Sequence, residues 1–287
     1  MKNQRWFETL HPLVILAYLG GGMGLGFASL HPVYISVMLV CAVAMNLWLR
    51  GLVQTERTLM RALVLFCLVV LLNAVFNDSG ATTLCFFLGR PVTLEALTYG
   101  LVSGEMLMTM WLWCAIWQTW MTNERFLYLF GNWMPTLSLL LSMVFALIPQ
   151  SGHKLARIRL CQSSYQGQVK KRKIQQLVRQ ISCLLVMDME DSMQTADAMR
   201  CKGYGSGKRT TFSLYSFTVR DGIWLVVVLA SLAVSITAAV MANAGLFFYP
   251  WRSWRTIPPL CLVGMVGFML LPILMQTKEW FAWKRCK

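Results

Sequence analysis

Charged residues are scarce in this chain. They make up 13% of its 287 residues, whereas an ordinary soluble domain carries about 25%. Acidic residues are fewest, with 12 Asp and Glu against 26 Lys and Arg. Apolar residues reach 57%, more than a soluble core of this size would cover. A water-soluble enzyme, a disordered chain and a disulfide-stapled secreted domain are therefore disfavoured, and the composition predicts an integral membrane protein.

Motifs of enzymes and metal sites are missing as well. The nine cysteines form no CxxC pair and the three histidines form no HExxH motif, so neither a metal site nor a metalloprotease is expected. The segment GYGSGKRTT at 203–211 approaches a phosphate-binding loop, but Lys202 and Arg209 stand where that motif needs glycine and Ser or Thr. We interpret it as a flexible hinge. We expect a non-catalytic protein without cofactor, metal or nucleic-acid partner.

Long apolar runs dominate what is present. A helix that crosses a bilayer needs about 20 mostly apolar residues. Six runs meet this need, at 13–30, 33–49, 59–76, 97–120, 223–243 and 257–275. The first run lacks a clear cleavage site, so we expect it to be a retained helix rather than a signal peptide. The sequence predicts an all-α polytopic membrane protein with about six transmembrane helices and a cytoplasmic helical segment.

A seventh run, 126–149, is interrupted by glycine, asparagine and proline. Basic residues favour the cytoplasmic side of membrane proteins, and this rule tests whether the run crosses. With six spans and both termini cytoplasmic, three basic residues face outward. If 126–149 also crosses and 150–222 stays inside, eight basic residues face outward. The arrangement with fewer outward basic residues agrees better with the rule. We therefore predict that 126–149 is a re-entrant or membrane-associated helix.

Segment 150–222 carries thirteen basic and five acidic residues and is too long for a simple connection. Within it, apolar residues recur every three or four positions, which predicts an amphipathic helix. They are Ile174, Leu177, Val178, Ile181, Leu184, Leu185, Met189, Met193 and Ala196. This helix either lies on lipid headgroups or binds a partner. The basic run at 170–173 favours binding to lipid phosphates. At the other end, Arg200 and Lys202 before Gly203 are typical of a helix C-terminus, and their positive charge favours binding to a partner.

One acidic residue, Glu105, falls inside a predicted span. An ionisable residue at membrane depth is a candidate functional group. It can equally reach a headgroup region or bond a neighbouring helix, and the sequence leaves both interpretations open.

Several segments, taken in order and spacing, resemble the transmembrane T component of energy-coupling factor (ECF) transporters, the EcfT and CbiQ-like family. The resemblance covers nearly the whole chain. The matching segments are Leu10-His11-Pro12, Asn77-Asp78-Ser79-Gly80, Pro91 to Gly100, Phe145 to Pro149, Ala198 to Tyr204 and Lys208-Arg209-Thr210.

The resemblance implies two cytoplasmic coupling helices. In the family each ends in a three-residue motif with a central arginine, which docks on one of two ABC-type ATPase subunits. The second motif falls on Cys201, Lys202 and Gly203, directly after Arg200, and the first falls near Ser164, Tyr165 and Gln166. Lysine replaces the arginine in the second motif and the first has lost it. The chain thus resembles a divergent member.

The implied organisation has four parts. Residues 1–125 hold four spans, 126–149 the membrane-associated helix, 150–222 the coupling helices, and 223–287 two spans and a cytoplasmic tail. The implied function is to transmit ATP-driven motion to a substrate-binding S component in a bacterial plasma membrane, for uptake of a vitamin or a transition-metal ion. The alternative from another class is a non-transport membrane scaffold whose basic amphipathic segment binds anionic lipid.

Overall fold

The computed structural model describes residues 9–77, 82–87, 90–131, 134–165, 173–207, 215–244 and 259–285. Within these ranges the elements are almost all helices. In chain order they are α1 (Pro12–Ala28), α2 (Pro32–Arg50), α3 (Leu52–Phe76), β1 (Thr83–Phe87), β2 (Arg90–Thr93), α4 (Leu94–Trp120), α5 (Asn123–Gly131), α6 (Pro135–Tyr165), α7 (Lys173–Cys201), α8 (Val219–Asn243) and α9 (Pro259–Arg285).

Five of these helices are long and apolar enough to cross a membrane: α2, α3, α4, α8 and the Pro135–Ser164 part of α6. α1 and the Leu262–Met275 part of α9 are shorter apolar helices. The six predicted apolar runs fall on α1, α2, α3, α4, α8 and α9. Four of these helices are long enough to span, and α6, which is not one of the six, is long enough as well. The chain has the architecture of a polytopic α-helical membrane protein.

Helix boundaries in the first half follow from a few special residues. Proline opens both α1 and α2, where its missing N–H costs nothing. His11 Nδ1 accepts a hydrogen bond from the backbone N–H of Leu13 at 3.3 Å and so caps α1. Gly51, at φ 79°, reverses the chain between α2 and α3, and its N–H closes α2 on the Leu47 carbonyl at 3.1 Å.

Two short antiparallel strands lie between α3 and α4 along the chain, and the sequence patterns do not predict them. Thr83 lies opposite Thr93, and Phe87 opposite Arg90. Thr93 then caps α4, since its Oγ1 accepts a hydrogen bond from the Ala96 N–H at 3.3 Å. The described chain is therefore helical as predicted, apart from the two short strands β1 and β2.

The described chain divides into two compact units. Unit 1 comprises Met1–Arg125 and Tyr215–Lys287, and unit 2 comprises Phe126–Leu214. The predicted division at 149/150 falls inside α6, which continues through Pro149 as one helix. The predicted start of the C-terminal region at 223 lies four residues after the first residue of α8.

An aromatic cluster forms the centre of unit 1. Tyr18 of α1 lies with its ring centroid 5.9 Å from Trp113, 6.0 Å from Trp120 and 5.2 Å from Phe268. Its hydroxyl donates a hydrogen bond to the Met269 carbonyl at 2.7 Å. All four rings are buried, so α1, α4 and α9 meet around Tyr18.

The directions of α1 and α8 are fixed by bonds at both of their ends. At the start of α1, the His11 N–H donates to Asp221 Oδ1 in the first turn of α8 at 3.3 Å. At the end of α1, Ser29 Oγ donates to Asn243 Oδ1 in the last turn of α8 at 3.0 Å. The two helices therefore run parallel, and we call the end of unit 1 that holds His11 and Asp221 the first end.

α2 and α4 are tied together in the same manner. Arg50 Nε donates to Thr119 Oγ1 at 2.8 Å, and Asn46 Nδ2 donates to the Leu112 carbonyl at 3.2 Å. α2 follows α1 after a three-residue turn and returns towards the first end. The C-terminus of α4 therefore lies at the first end of unit 1, where α8 also begins.

Candidate functional site

The candidate site is the antiparallel pair of helices α6 and α7 in unit 2. The side chains of α7 that face α6 are half-buried and spaced four residues apart. They are Gln176, Gln180, Leu184 and Asp188. The α6 side of the contact centres on Ile158, the one buried side chain among the described residues of unit 2. The pairing is thus mainly polar.

A cluster of ion pairs and hydrogen bonds holds the middle of this pair, and we call it the clasp. Lys154 Nζ lies 2.7 Å from Asp188 Oδ1 and also contacts Asp191. Ser151 Oγ donates to the other oxygen of Asp188, Oδ2, at 2.7 Å. The hydrogen bond from Lys154, followed by that from Ser151, lowers the pKa of the Asp188 carboxyl below its ordinary value. The clasp therefore keeps Asp188 ionised and fixes the register of α7 on α6.

A second polar contact lies nearer the C-terminus of α6. Gln180 Oε1 accepts a hydrogen bond from Arg159 Nε at 3.4 Å, and Gln180 Nε2 donates to Gln162 Oε1 at 3.2 Å. Together with the clasp it defines the antiparallel register, because residue numbers rise along α6 as they fall along α7.

The amphipathic helix predicted from the sequence is present as α7, but its apolar side chains do not face α6. Leu184 alone is half-buried against α6, and the others are exposed, from 43% at Ile181 to 76% at Ile174 for the large ones. We call the exposed set the apolar stripe. It consists of Ile174, Leu177, Val178, Ile181, Leu185, Met189 and Met193. Burying these side chains on a partner would release on the order of 5–10 kcal/mol, since each is already partly covered.

The C-terminus of α7 closes in a Schellman arrangement. The Tyr204 N–H donates to the Met199 carbonyl at 3.0 Å, and the Gly203 N–H donates to the Arg200 carbonyl at 3.0 Å. Gly203 has φ 81°, a conformation that glycine adopts without strain. Arg200, Cys201 and Lys202 are exposed around this end. The turn thus presents two exposed cations at the C-terminus of α7.

The first predicted coupling motif lies at the end of α6. Ser164 is exposed, and its Oγ donates to the Leu160 carbonyl at 3.1 Å. Tyr165 is the last residue of α6, and Gln166 lies outside the described residues. Because α6 and α7 are antiparallel, Ser164 and Lys202 lie at opposite ends of the pair. At 1.5 Å per residue they are separated by about 35–40 Å along α7.

Other residues singled out by sequence are dispersed. Glu105 lies in α4, half-buried, where Ser36 of α2 contacts its carboxyl. The basic run at 170–173 lies outside the described residues except for Lys173, the first residue of α7. The proposed hinge is described only as far as Gly207. Among the described residues, no group of three His, Cys, Asp or Glu side chains is placed to hold a metal.

Sequence reasoning missed the clasp. Its one local signal is the pair Asp188 and Asp191, which share a face of α7 at a spacing of three. Lys154 lies 34 residues before Asp188, so only the register of the folded helices brings it there.

No protein-family model matches this sequence, and no curated protein matches it. The resemblance to ECF T components therefore depends on the sequence segments alone.

Proposed function

We propose that this chain is the transmembrane coupling subunit of an ECF-type importer. In this role α6 and α7 contact two ABC-type ATPase subunits, and their motion is passed to a membrane-embedded S component that binds the vitamin or transition-metal ion. The chain itself is non-catalytic. Its membrane is a bacterial plasma membrane, with both termini cytoplasmic.

The observation that carries this proposal is that unit 2 buries almost nothing of its own. Ile158, 8% exposed, is its one buried side chain among the described residues. A two-helix element with so small a core gains too little from its own packing to be stable in water. Its exposed apolar stripe is a surface for a partner, and covering it supplies the missing stabilisation.

The two helix tips match the expected arrangement of two ATPases. A cationic tip fits an acidic groove, and Lys202 and Arg200 supply the charge at the end of α7. The tip of α6 at Ser164 lies about 35–40 Å away along the pair, which leaves room for a separate ATPase subunit at each end. The clasp ties α7 to α6, and because Lys202 directly follows α7, displacement at Lys202 also displaces the apolar stripe on that helix.

Sidedness supports a cytoplasmic position for α7. The C-terminus of α4 and the N-terminus of α8 both lie at the first end of unit 1, with Arg50, Arg125 and Arg220 near these termini. Basic residues favour the cytoplasmic side. The chain between α4 and α8 therefore crosses the membrane an even number of times, and in its described part α6 is the single candidate span. If α6 crossed the membrane, a second span would be needed to bring the chain back before α8. The described part contains no second candidate, which favours six spans without α6.

The test is retention of ATPase subunits by the full-length chain. We expect the paired ABC-type ATPases encoded beside this gene to co-purify with the wild type and to be retained several-fold less by Lys202→Glu. Arg57→Glu is the matched control, because Arg57 is an exposed cation of α3 in unit 1 and belongs neither to a helix tip nor to the apolar stripe. If the wild type retains no ATPase, the proposed function is wrong. If Lys202→Glu retains the ATPases as well as the wild type does, the assignment of Lys202 as an ATPase contact is wrong.

The lipid-scaffold alternative also uses the apolar stripe. A second measurement, of lipid binding, distinguishes it from the proposed coupling function. A scaffold would bind anionic vesicles through 150–222 with strong salt dependence and without saturable ATPase binding. Saturable ATPase binding that survives in neutral-lipid vesicles would exclude the scaffold.

A further inference from the structure

Arg61 lies on the exposed side of α3. This helix begins at the first end of unit 1, because α2 ends there and only Gly51 separates the two helices. The buried residues of α3 are Thr55, Thr58 and Ala62, and they lie on another side of the helix. Arg61 is exposed. In a membrane it therefore faces lipid rather than the interior of unit 1.

The length of α3 places Arg61 inside the membrane. A bilayer core about 30 Å thick needs about 20 helical residues, and about 20 residues counted back from Phe76, the last residue of α3, begin at Arg57. At 1.5 Å per residue, the backbone of Arg61 then lies about 6 Å inside the boundary at the first end. Residues 62–76 alone would rise about 22 Å. A span that excludes Arg61 is therefore too short for the core.

The guanidinium of Arg61 has no acceptor in the part of the chain that the structure describes. By contrast, Arg50 at the end of α2 donates to Thr119 Oγ1 at 2.8 Å and also contacts the Ala115 carbonyl. Glu56, the one acidic residue of α3, lies about 140° away from Arg61 around the helix axis. A guanidinium carries five N–H donors and a permanent charge. At this depth Arg61 therefore needs acceptors from outside the protein.

The surroundings of Arg61 match the shape of a phospholipid. Helical side chains tilt towards the helix N-terminus, so that of Arg61 extends towards the first end and brings its guanidinium back to the level of lipid phosphates. On the same side of α3, deeper in the membrane, Val64, Leu68 and Leu71 are 52–68% exposed. We call these four residues the outer face of α3. A cation thus stands directly above an apolar track that an acyl chain can follow.

We propose that the outer face of α3 binds one anionic phospholipid of the leaflet at the first end, with its phosphate on Arg61 and an acyl chain along the apolar track. The planar fork of arginine matches two oxygens of a phosphate. Because no carboxylate balances the charge of Arg61, a lipid with net negative charge fits better than a zwitterionic one. The proposal depends on α3 crossing the membrane and is independent of ATPase binding.

The test places the purified full-length chain in bilayer nanodiscs that contain phosphatidylglycerol and phosphatidylcholine. Native mass spectrometry then identifies the lipids that stay bound when the protein is released. We expect phosphatidylglycerol to be enriched over phosphatidylcholine, and Arg61→Gln to lower this enrichment about fivefold. Arg220→Gln is the matched control, because Arg220 is an exposed cation in the first turn of α8 and enough residues follow it to span without it. It should stay within twofold of wild type.

Arg57→Gln tests the depth argument. Arg57 stands at the boundary itself, so its side chain reaches water and this variant should also stay within twofold of wild type. Equal losses in Arg57→Gln and Arg61→Gln would indicate a diffuse cationic surface and overturn the proposal. Equal retention of the two lipids by the wild type would overturn it as well, since neutral lipid would then satisfy Arg61.

Two other occupants of the outer face are outcomes of the same comparison. Dimers that form in the wild type and not in Arg61→Glu would identify a second copy of the chain. Loss from Arg61→Glu of a membrane subunit encoded beside this gene, with lipid enrichment unchanged, would identify that subunit. Either result contradicts the proposal. None of these measurements bears on ATPase retention, which is tested at Lys202.

Discussion

Ile158 gives the sharpest test of how α6 and α7 are held together. It is 8% exposed and central to their contact, whereas Leu160, two residues later on the same helix, is 68% exposed. Truncating a buried isoleucine to alanine costs about 2–5 kcal/mol. Because a two-helix contact can close up around the smaller side chain, we expect Ile158→Ala to lower the free energy of opening of the contact by about 2 kcal/mol, the low end of this range. That corresponds to about a thirtyfold rise in opening of the contact.

Hydrogen exchange of the full-length protein in detergent measures this opening. Where α7 opens locally rather than with the whole protein, amide exchange reports the free energy of that opening. We expect exchange over 176–191 to accelerate about thirtyfold in Ile158→Ala, with unit 1 unchanged. Leu160→Ala should leave α7 within threefold of wild type. Equal effects of the two variants, or no effect of the first, would refute the inferred contact.

Two further predictions concern the clasp and the aromatic cluster. Because the pKa of Asp188 is lowered in the fold, its stabilisation is fully present above the unfolded pKa of about 3.9 and is lost as the pH falls below it. The free energy of opening of α7, obtained from exchange rates corrected for the intrinsic pH dependence of amide exchange, should therefore fall below about pH 4 in the wild type and lose this dependence in Asp188→Asn. In unit 1, a Cβ on Gly22 would lie 2.7 Å from the Trp113 ring, whereas one on Gly24 meets nothing within 4 Å. Gly22→Ala should lower stability by about 1–3 kcal/mol and Gly24→Ala should not, as thermal unfolding in detergent will measure.

The sequence predicts individual helices well, because each depends on local patterns. The six long apolar runs coincide with six helices, and the period of three and four residues from Ile174 onward becomes α7. Gly203, with cations before it, ends that helix as glycine at such a position does. These features need only the propensities and spacing of neighbouring residues.

What the sequence does not predict depends on pairing between distant segments. Nothing local shows that α7 turns Gln180 and Asp188 towards α6 and leaves the apolar stripe exposed. The Thr83–Phe87 strand is a short apolar run, which periodicity alone does not assign. Proline 149 suggests a boundary, yet α6 continues through it, as helices in membrane proteins often do.

The bond from Tyr18 to Met269 has a consequence for how this protein is made. Its two residues lie 251 positions apart, in the first and last helices of the chain. Ribosomes release the N-terminal segments first, so α1 enters the membrane long before α9 has been synthesised. Until then the hydrogen bond to the Met269 carbonyl cannot form. A chain truncated before Met269 therefore lacks this bond between its first and last described helices, although α1 to α8 all precede the truncation.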